Sequence, residues 1–338
     1  MAIDWSIDLV LVWTGIIAFA VFMYVVMDGF DLGIGILFPF AREARHRDTM
    51  MNSIAPVWDG NETWLVLGGA ALYAVFPLAY SILLTAFYAP LIAMLLALVF
   101  RGVAFEFRFR DERHRRIWDW AFVGGSIIAT FCQGVVLGAF VQGIEIEERA
   151  YAGGWFSWLT PFSVFTGFAL IAGYALLGAG WLVMKTRGDL QAGSRHLMRP
   201  LAWTVVGVIA VVSVWTPILN DDIARRWFEW PNIAYLSPVP VLVALTILLL
   251  DRAIAESRDA LPFLLALALF ALSYLGIGIS LFPHVVPPEI TVWAAAAPRQ
   301  SLTFLLVGAA ILLPVILGYT AYVYWVFRGK TAEDAGYH

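Results

Sequence analysis

The residues best able to do chemistry lie in one short stretch, 55–64, which reads Ala-Pro-Val-Trp-Asp-Gly-Asn-Glu-Thr-Trp. Asp59 and Glu62 are three residues apart, so a helix would place both carboxyl groups on one face. An apolar run continues from the stretch to Ala79, which predicts a membrane helix. A charge inside a membrane costs about 2.5–3.5 kcal/mol. The two acids and Asn61 therefore predict a face turned toward protein or a hydrated cavity.

A second pair of acids, Asp28 and Asp31, lies near the end of the first apolar run. At a rise of about 1.5 Å per residue, Asp59 is expected roughly 10 Å inside the membrane from the cytoplasmic face. Both pairs then fall in the inner third of the bilayer, where intramembrane acids are typical of proton uptake. The alternatives are that these acids cap helices, neutralise an arginine such as Arg101, or stay protonated.

Arg101 and Glu106 end the third apolar run. Arg101 could pair with Asp59 or Glu106 across helices, or bind a lipid phosphate or a quinone carbonyl. It could equally be an interfacial arginine that extends its side chain toward the headgroups. Gln133, in the fourth run, is expected to bond another helix rather than a ligand, and Tyr324 near the end of the last run is expected to be an aromatic anchor.

The composition defines the elements that must hold these residues. The chain has 338 residues, 61% of them hydrophobic and only 14% charged, with a mean hydropathy of +0.81. A soluble domain is nearer half apolar and a quarter charged. We therefore predict a polytopic membrane protein that forms a single membrane-embedded domain over residues 1–338. Basic patches with interleaved aromatic residues are missing from the sequence, so nucleic acid is not an expected partner.

The predicted fold is all-α, because about 20 apolar residues cross a bilayer as a helix. Nine spans are predicted, arranged as two groups of four and one more, with a kink or a continuation beyond the membrane in the first. Most of the 21 Lys and Arg residues fall in alternate loops, which predicts a periplasmic N-terminus and a cytoplasmic C-terminus. The spans are approximately 8–38, 53–77, 80–104, 117–142, 161–185, 199–219, 236–254, 261–282 and 301–327.

Histidine placement limits the cofactors that this chain could hold. The five histidines are expected in loops or tails, whereas a haem buried in a bilayer usually needs a histidine at membrane depth. We therefore predict no haem and no metal site in this chain. The histidines are His46, His114, His196, His284 and His338.

Several short motifs, in order along the whole chain, resemble subunit II of the cytochrome bd quinol oxidases. The sequence around Glu62 and Arg101 resembles the cyanide-insensitive branch of that family more closely. The motifs are Met-Asp-Gly-Phe-Asp-Leu-Gly at 27–33, 52–61 with Trp64 and Leu65, Phe-Arg-Gly-Val-Ala-Phe-Glu at 100–106, Trp-Asp-Trp at 118–120, and 314–321.

The resemblance implies a heterodimer in the bacterial plasma membrane. Subunit I would carry two b haems and one d haem, oxidise quinol and reduce oxygen to water, and subunit II would bind no haem. The positions that match Asp31 and Asp59 would help deliver protons, and a structural quinone, with Trp58 and Arg101 as neighbours, is a further expectation. Small accessory subunits, the quinone type and the cyanide response stay open.

Two functions compete on the sequence alone. One is the proton-delivering subunit of a quinol:oxygen oxidoreductase, with Asp28, Asp31, Asp59 and Glu62 on the proton pathway. The other is a proton-coupled transporter that uses the same acids to bind a proton and a solute. The second half of the chain has almost no charge within its predicted spans, which disfavours a two-sided solute site.

Overall fold

The computed structural model describes residues 8–331, and helices dominate it. In the first half they are α1 (Leu9–Leu37), α2 (Ala44–Ile54), α3 (Trp58–Val75), α4 (Pro77–Ala86), α5 (Tyr88–Phe107) and α6 (Arg115–Gln142). In the second half they are α7 (Pro161–Lys185), α8 (Gly188–Leu219), α9 (Asp221–Phe228), α10 (Asn232–Leu236), α11 (Pro238–Ala255), α12 (Leu261–Leu281), α13 (Val292–Ala295) and α14 (Arg299–Val326).

Two short antiparallel strand pairs interrupt the predicted all-α fold. They lie in the loops that follow α6 and α12, where the chain reverses direction between long helices. The strands β1 (Ile146–Glu147) and β2 (Ala150–Tyr151) form one pair, and β3 (His284–Val286) and β4 (Ile290–Thr291) form the other.

Eight helices of the described residues are long and apolar enough to cross a membrane: α1, α5, α6, α7, α8, α11, α12 and α14. The predicted second span, 53–77, corresponds to α3, which has only 18 residues and begins with polar ones. The finding is thus a polytopic helical membrane protein, and the nine-span topology and its orientation stay predictions. α8 also begins at Gly188, so the cytoplasmic loop predicted there is a polar helical extension.

The predicted second and third spans are each divided in the structure. α2 ends at Ile54 and α3 begins at Trp58, with Pro56 in the break. Proline lacks an N–H and disfavours helical geometry in the residue before it, so the chain cannot continue as one helix here. Asp59 consequently lies in the first turn of α3. The continuous helix assumed in its predicted depth of about 10 Å is therefore interrupted, and the depth itself stays a prediction. The third span is likewise α4 followed by α5.

Helix α1 is the centre of the packing. The side chain of Asp8 caps it by accepting from the N–H of Val10 at 2.9 Å, and the helix then runs unbroken to Leu37. Its second half is buried because α3, α6 and α7 pack around it. α5 packs on α6, whereas α7, α8, α11 and α12 pack together as a second group. α14 lies against α1 and α3 and is largely exposed.

Glycine allows α1 and α7 to approach closely. A Cβ atom on Gly33 would overlap the backbone carbonyl oxygen of Tyr174, and one on Gly178 would lie 2.5 Å from the carbonyl carbon of Gly33. Each glycine thus leaves room for the backbone of the other helix, which is a common way to join membrane helices. Gly33 therefore serves close contact between helices.

The end of α14 is attached to the helix ends on the same side of the molecule. Lys185 donates to the backbone oxygens of Phe327 and, at 2.7 Å, Gly329. Lys330 donates to Asp259 at 2.7 Å, and this hydrogen bond holds the pKa of the Asp259 carboxyl below its usual range. The contacts fix where α14 ends relative to α7 and α12.

We predict that Gly33→Ala destabilises the fold, because the added methyl group would push α1 away from α7. Overpacking of this kind costs about 1–3 kcal/mol. Heating the detergent-solubilised protein and measuring the fraction that stays monodisperse would detect the change. Gly15→Ala is the matched control, since nothing lies within 4 Å of a Cβ atom at Gly15 on the same helix. Equal heat resistance of the two variants would contradict the close-contact interpretation.

Candidate functional site

Arg101 lies at the centre of a buried cluster of carboxyl groups. Its side chain is 0% exposed. One terminal nitrogen, Nη1, donates to Glu62, while the other, Nη2, lies 3.3 Å from Asp28 and 3.8 Å from Asp31. A single guanidinium group therefore faces three carboxyl groups.

Three helices bring the cluster together. Asp28 and Asp31 lie three residues apart on the buried half of α1, Glu62 comes from the second turn of α3, and Arg101 comes from α5. α6 closes the cluster from the far side, because Gly125 has no side chain there. A Cβ atom on Gly125 would lie 2.6 Å from the carbonyl oxygen of Ala97 and 2.9 Å from Cβ of Arg101.

Aromatic rings cover the guanidinium group. Its Cζ atom lies 5.2 Å from the ring centre of Trp58 and 5.3 Å from that of Phe105. The two rings stack on each other, with centres 4.6 Å apart and planes 2° apart. A cation near the face of such rings is stabilised by their electron density, so the rings contribute favourable electrostatics while they exclude water.

A hydrogen-bonded amide connects the cluster to the last helix. The Asn61 side-chain nitrogen donates to Asp31 Oδ2 at 2.7 Å, and Tyr324 of α14 donates its hydroxyl proton to Asn61 Oδ1 at 2.9 Å. Asn61 is 1% exposed. Because α14 has few other buried contacts, this chain of donors helps hold it against α1 and α3.

The cluster has more acid than base, and several of its atoms make no hydrogen bond. Three carboxyl groups against one guanidinium would leave two uncompensated negative charges if all were ionised. Both oxygens of Asp28 and one oxygen of Asp31 lack a hydrogen-bond partner among residues 8–331. Buried polar atoms usually have partners, and isolated buried charges are very costly. Binding protons is the chemistry that this arrangement favours.

Glu62 is the member of the cluster that reaches the surface. Its side chain is 24% exposed, whereas those of Asp28, Asp31 and Arg101 are at most 1% exposed. Asp59, one turn earlier on α3, is exposed. Exchange between the buried acids and the outside therefore has its shortest route along this face of α3.

Two of the predicted contacts of Arg101 were wrong. Asp59 is exposed rather than paired with Arg101, and Glu106 is 48% exposed and lies 3.5 Å from Arg110. Within α3, Glu62 on the second turn contacts Arg101, whereas Asp59 on the first turn is exposed. Neutralisation of Arg101 by Asp28 and Asp31, one of the alternatives that the sequence left open, is what the ion pairs show.

A second ionic network, missed in the sequence, lies one aromatic layer away from the first. Arg108, 1% exposed, bonds Asp48 at 2.7 Å and Asp119 at 2.5 Å, and Arg47 bonds Asp119 at 3.2 Å. Arg115 also bonds Asp48. These residues looked like ordinary loop charges, and their only signal was the spacing of Arg101 and Arg108, which are seven residues apart on one helix face.

Three phenylalanines separate the two networks. Phe105 and Phe122 pack edge to face with ring centres 5.3 Å apart, and Phe38 and Phe122 do so at 5.1 Å. Each of the three is at most 1% exposed. This layer, called here the phenylalanine seal, blocks a direct polar path between Arg108 and the acids around Arg101.

The described residues offer no group of three or more His, Cys, Asp or Glu side chains that could hold a metal ion. His46 and His196 lie in the polar helix segments of α2 and α8 rather than in loops, His114 lies in a short 3-10 turn, and His284 begins β3. His338 lies outside the described residues. Arg101 is fully buried and shared by three acids, and a structural quinone with Trp58 and Arg101 as neighbours stays a prediction.

The protein is thus a helical membrane protein with a largely buried, acid-rich cluster between its first helices. Residues 9–327 match the family model described as cytochrome bd terminal oxidase subunit II. The chain belongs to this family. Membership makes it a subunit of an oxidoreductase complex of the respiratory chain, a family in which the complex uses haem and quinone and subunit II normally works with subunit I.

Similar proteins cover nearly the whole chain. It is 31% identical to cytochrome bd-I ubiquinol oxidase subunit 2 of Escherichia coli (strain K12), with 96% of this chain and 95% of that protein covered. It is 29% identical to cytochrome bd ubiquinol oxidase subunit 2 of Bacillus subtilis (strain 168), with 95% and 96% covered. The family favours the oxidase subunit over the transporter, the two functions predicted from the sequence.

The fold also resembles a solved structure. A chain in the structure of the bd oxidase from Geobacillus thermodenitrificans superposes with a TM-score of 0.73 at 18% sequence identity. The similarity covers 95% of this chain and 99% of that chain.

We predict that Arg101→Met strongly destabilises the protein, because it leaves the surrounding acids without their counter-charge. Breaking a buried ion pair by removing one partner costs about 3–5 kcal/mol. The measurement is thermal unfolding of the purified complex. Adding Asp28→Asn and Glu62→Gln to Arg101→Met should recover part of the loss, whereas Arg110→Met, at a position 79% exposed, should have little effect. No recovery in the triple variant would argue against charge balance as the cause.

Proposed function

We propose that this chain is subunit II of a bd-type quinol oxidase in a bacterial inner membrane. It forms a heterodimer with a haem-bearing subunit I, stabilises that partner, and helps carry protons from the cytoplasm to the site where oxygen is reduced to water. The observation that carries the proton role is the excess of buried carboxyl groups around Arg101. The nearness of the sequence to the cyanide-insensitive branch stays a prediction.

Oxygen reduction to water consumes protons, so the complex must supply them through a low-dielectric region. An intramembrane acid serves this purpose when it can bind a proton and pass it on. Asp28 and Asp31 share one nitrogen of Arg101, and Glu62 takes the other. A proton gained by one acid lets the guanidinium interact more closely with the others, which keeps the charge of the cluster near balance as protons move.

The exposed face of α3 is the side on which protons would leave or enter. Glu62 is partly exposed, and Asp59 and Thr63 are exposed on the same helix. A carboxyl group facing lipid tails would be costly, so we propose that subunit I covers this face in the complex. Asp59 would then lie at the subunit boundary, where it can relay protons between Glu62 and the partner.

The phenylalanine seal disfavours proton entry from the side of the Arg108 network. Protons arriving at the Arg108 network would have to cross three packed rings that offer no hydrogen bonds. The route along α3 has no such layer, because Glu62 joins the exposed surface directly to Arg101.

The haems of the complex would be held by subunit I, where they would supply electron transfer and oxygen chemistry. This chain's own residues would bind and move protons and shape the subunit boundary. Trp58 lies at the edge of the same site, but its stacking on Phe105 occupies one face of its ring. A structural quinone is therefore not part of the proposed proton role.

We predict that Asp28→Asn lowers oxidase turnover in the assembled complex by about tenfold or more, since a positioned proton-transfer group contributes at least that much. Asp31→Asn should act in the same direction. Oxygen consumption with excess quinol measures turnover, and haem absorbance per complex measures assembly. Glu106→Gln, an exposed acid-to-amide change, is the control. Loss of haem would make Asp28 structural, and normal turnover with normal haem would remove it from the pathway.

Asp59→Asn tests the exposed end of the route. We expect slower turnover with unchanged haem content, because the amide cannot pass a proton between Glu62 and the partner. The effect is measured by the same oxygen-consumption assay. Wild-type turnover together with wild-type haem content would show that Asp59 is no part of the relay, while leaving the roles of Asp28 and Asp31 to their own variants.

A further inference from the structure

A buried amide lies between the acid cluster and the last helix. Asn61 on α3 is 1% exposed, and its side-chain nitrogen donates to Asp31 Oδ2 at 2.7 Å and to the backbone oxygen of Met27 at 3.4 Å. The Tyr324 hydroxyl on α14 donates to Asn61 Oδ1 at 2.9 Å. The nitrogen and the oxygen of this amide therefore both have partners, and each partner comes from a helix other than α3.

The partners of Asn61 permit only one orientation of its amide. A backbone carbonyl, such as that of Met27, accepts hydrogen bonds and can never donate one. Turning the amide over would place its oxygen against the Met27 carbonyl and the Asp31 carboxyl, and the Tyr324 hydroxyl would lose the acceptor of its proton. The amide nitrogen is thus held toward Asp31, where it acts as a donor.

The two oxygens of the Asp31 carboxyl group consequently have different surroundings. Oδ2 accepts from Asn61 and is also the oxygen nearest to Arg101, at 3.8 Å. Oδ1 has no hydrogen-bond donor among residues 8–331. A proton binds more readily to an oxygen that no donor faces, because the donors occupy lone pairs of the other oxygen. The geometry therefore favours Oδ1 as the oxygen that takes up a proton.

Tyr324 is held in place by contacts with α7. Its ring packs edge to face against that of Trp181, with ring centres 6.2 Å apart. Three residues further along α14, the backbone oxygen of Phe327 accepts from Lys185, and that of Gly329 does so at 2.7 Å. The hydroxyl group of Tyr324 is consequently held against Asn61, inside the protein.

We propose that Asn61 is a positioning residue: it holds Asp31 so that Oδ1 is the oxygen that binds and releases the proton, and Tyr324 keeps the amide in the required orientation. The inference rests on the proposed function of Asp31 in proton delivery. The O–H bond at Oδ1 forms when a proton arrives and breaks when it leaves, while Oδ2 keeps its hydrogen bond from Asn61. Two neutral residues thereby direct a proton that the charges around Arg101 attract.

The charged groups around Asp31 stay in place when either neutral residue is changed. They are Asp28 on α1, Glu62 on α3 and Arg101 on α5, and all three acids share the one guanidinium group. Substituting Asn61 or Tyr324 by an apolar residue removes hydrogen-bonding groups and no charge. A difference between such a variant and the wild type therefore reports the hydrogen bonds themselves.

Infrared spectroscopy of the purified complex tests which oxygen carries the proton. The carbonyl band of protonated Asp31 is identified by its loss in Asp31→Asn. With the proton on Oδ1, Oδ2 is the carbonyl oxygen, so Asn61→Leu removes its hydrogen bond and the band should move to higher wavenumber. With the proton on Oδ2, the carbonyl oxygen is Oδ1, which Asn61 does not contact. An unmoved band in Asn61→Leu would therefore overturn the proposal.

Tyr324→Phe tests the hold on the amide without removing it. We expect a smaller shift in the same direction, because hydrogen bonds in a chain strengthen one another and losing the first weakens the second. The double variant should match Asn61→Leu alone, since Tyr324 acts through Asn61. Tyr322→Phe is the matched control, because it removes a hydroxyl group from the same helix at a position 61% exposed. A wild-type band in Tyr324→Phe, or additive shifts, would overturn the role of Tyr324.

Oxygen consumption separates this inference from the proposed function. Asn61→Leu should lower turnover about two- to tenfold, the effect of one lost hydrogen bond, with haem content unchanged. Normal turnover in Asp31→Asn together with a shifted band in Asn61→Leu would reject proton delivery by Asp31 but keep the assignment of its oxygens. If Asn61→Leu does not assemble, the band in Tyr324→Phe decides: a shift supports the proposal, and an unmoved band overturns it.

Discussion

The structure depends on the balance of charge around one buried guanidinium group. Arg101 holds α1, α3 and α5 together through three carboxyl groups, and none of the four side chains is more than 24% exposed. Removing such charges from water costs several kcal/mol for each ion. Their attraction, the stacked rings over Arg101 and the Asn61 hydrogen bond offset that cost, so the packing of the first helices and the chemistry of the cluster share one cause.

Close contacts between helices keep the charged groups around Arg101 away from water and lipid. Gly33 and Gly178 let α1 and α7 touch through their backbones, and Gly125 lets α6 cover Arg101. A side chain at any of these positions would separate the helices and admit water or lipid to the cluster. The small residues therefore keep the surroundings of the acids dry, and a dry environment makes their charges strong enough to affect one another.

Much of this could be predicted from the sequence, and the errors have local causes. Apolar run length predicts the long helices, and the cost of intramembrane charge correctly marked Asp28, Asp31 and Glu62 as unusual. The ion pair considered between Asp59 and Arg101 is absent, because Asp59 is exposed on the first turn of α3 and Glu62 on the second turn contacts Arg101. The sequence could not decide which of the acids pair with Arg101, since its ion pairs join residues 39 or more positions apart and depend on the packing of three helices.

The two ionic networks differ in a way that locates the function. Around Arg108, three arginines meet two aspartates, the other four members of the network are 16–33% exposed, and water can screen the imbalance that is left. Around Arg101, the excess is acidic and only Glu62 is near water. A network that only stabilises the fold needs no more than the arrangement around Arg108. The cluster around Arg101 has an excess of acid that bound protons can neutralise. Because the phenylalanine seal lies on the side of Arg108, the cluster opens along α3. Because that opening lies on an outer face of the described chain, the proposed proton role requires a partner subunit that covers it.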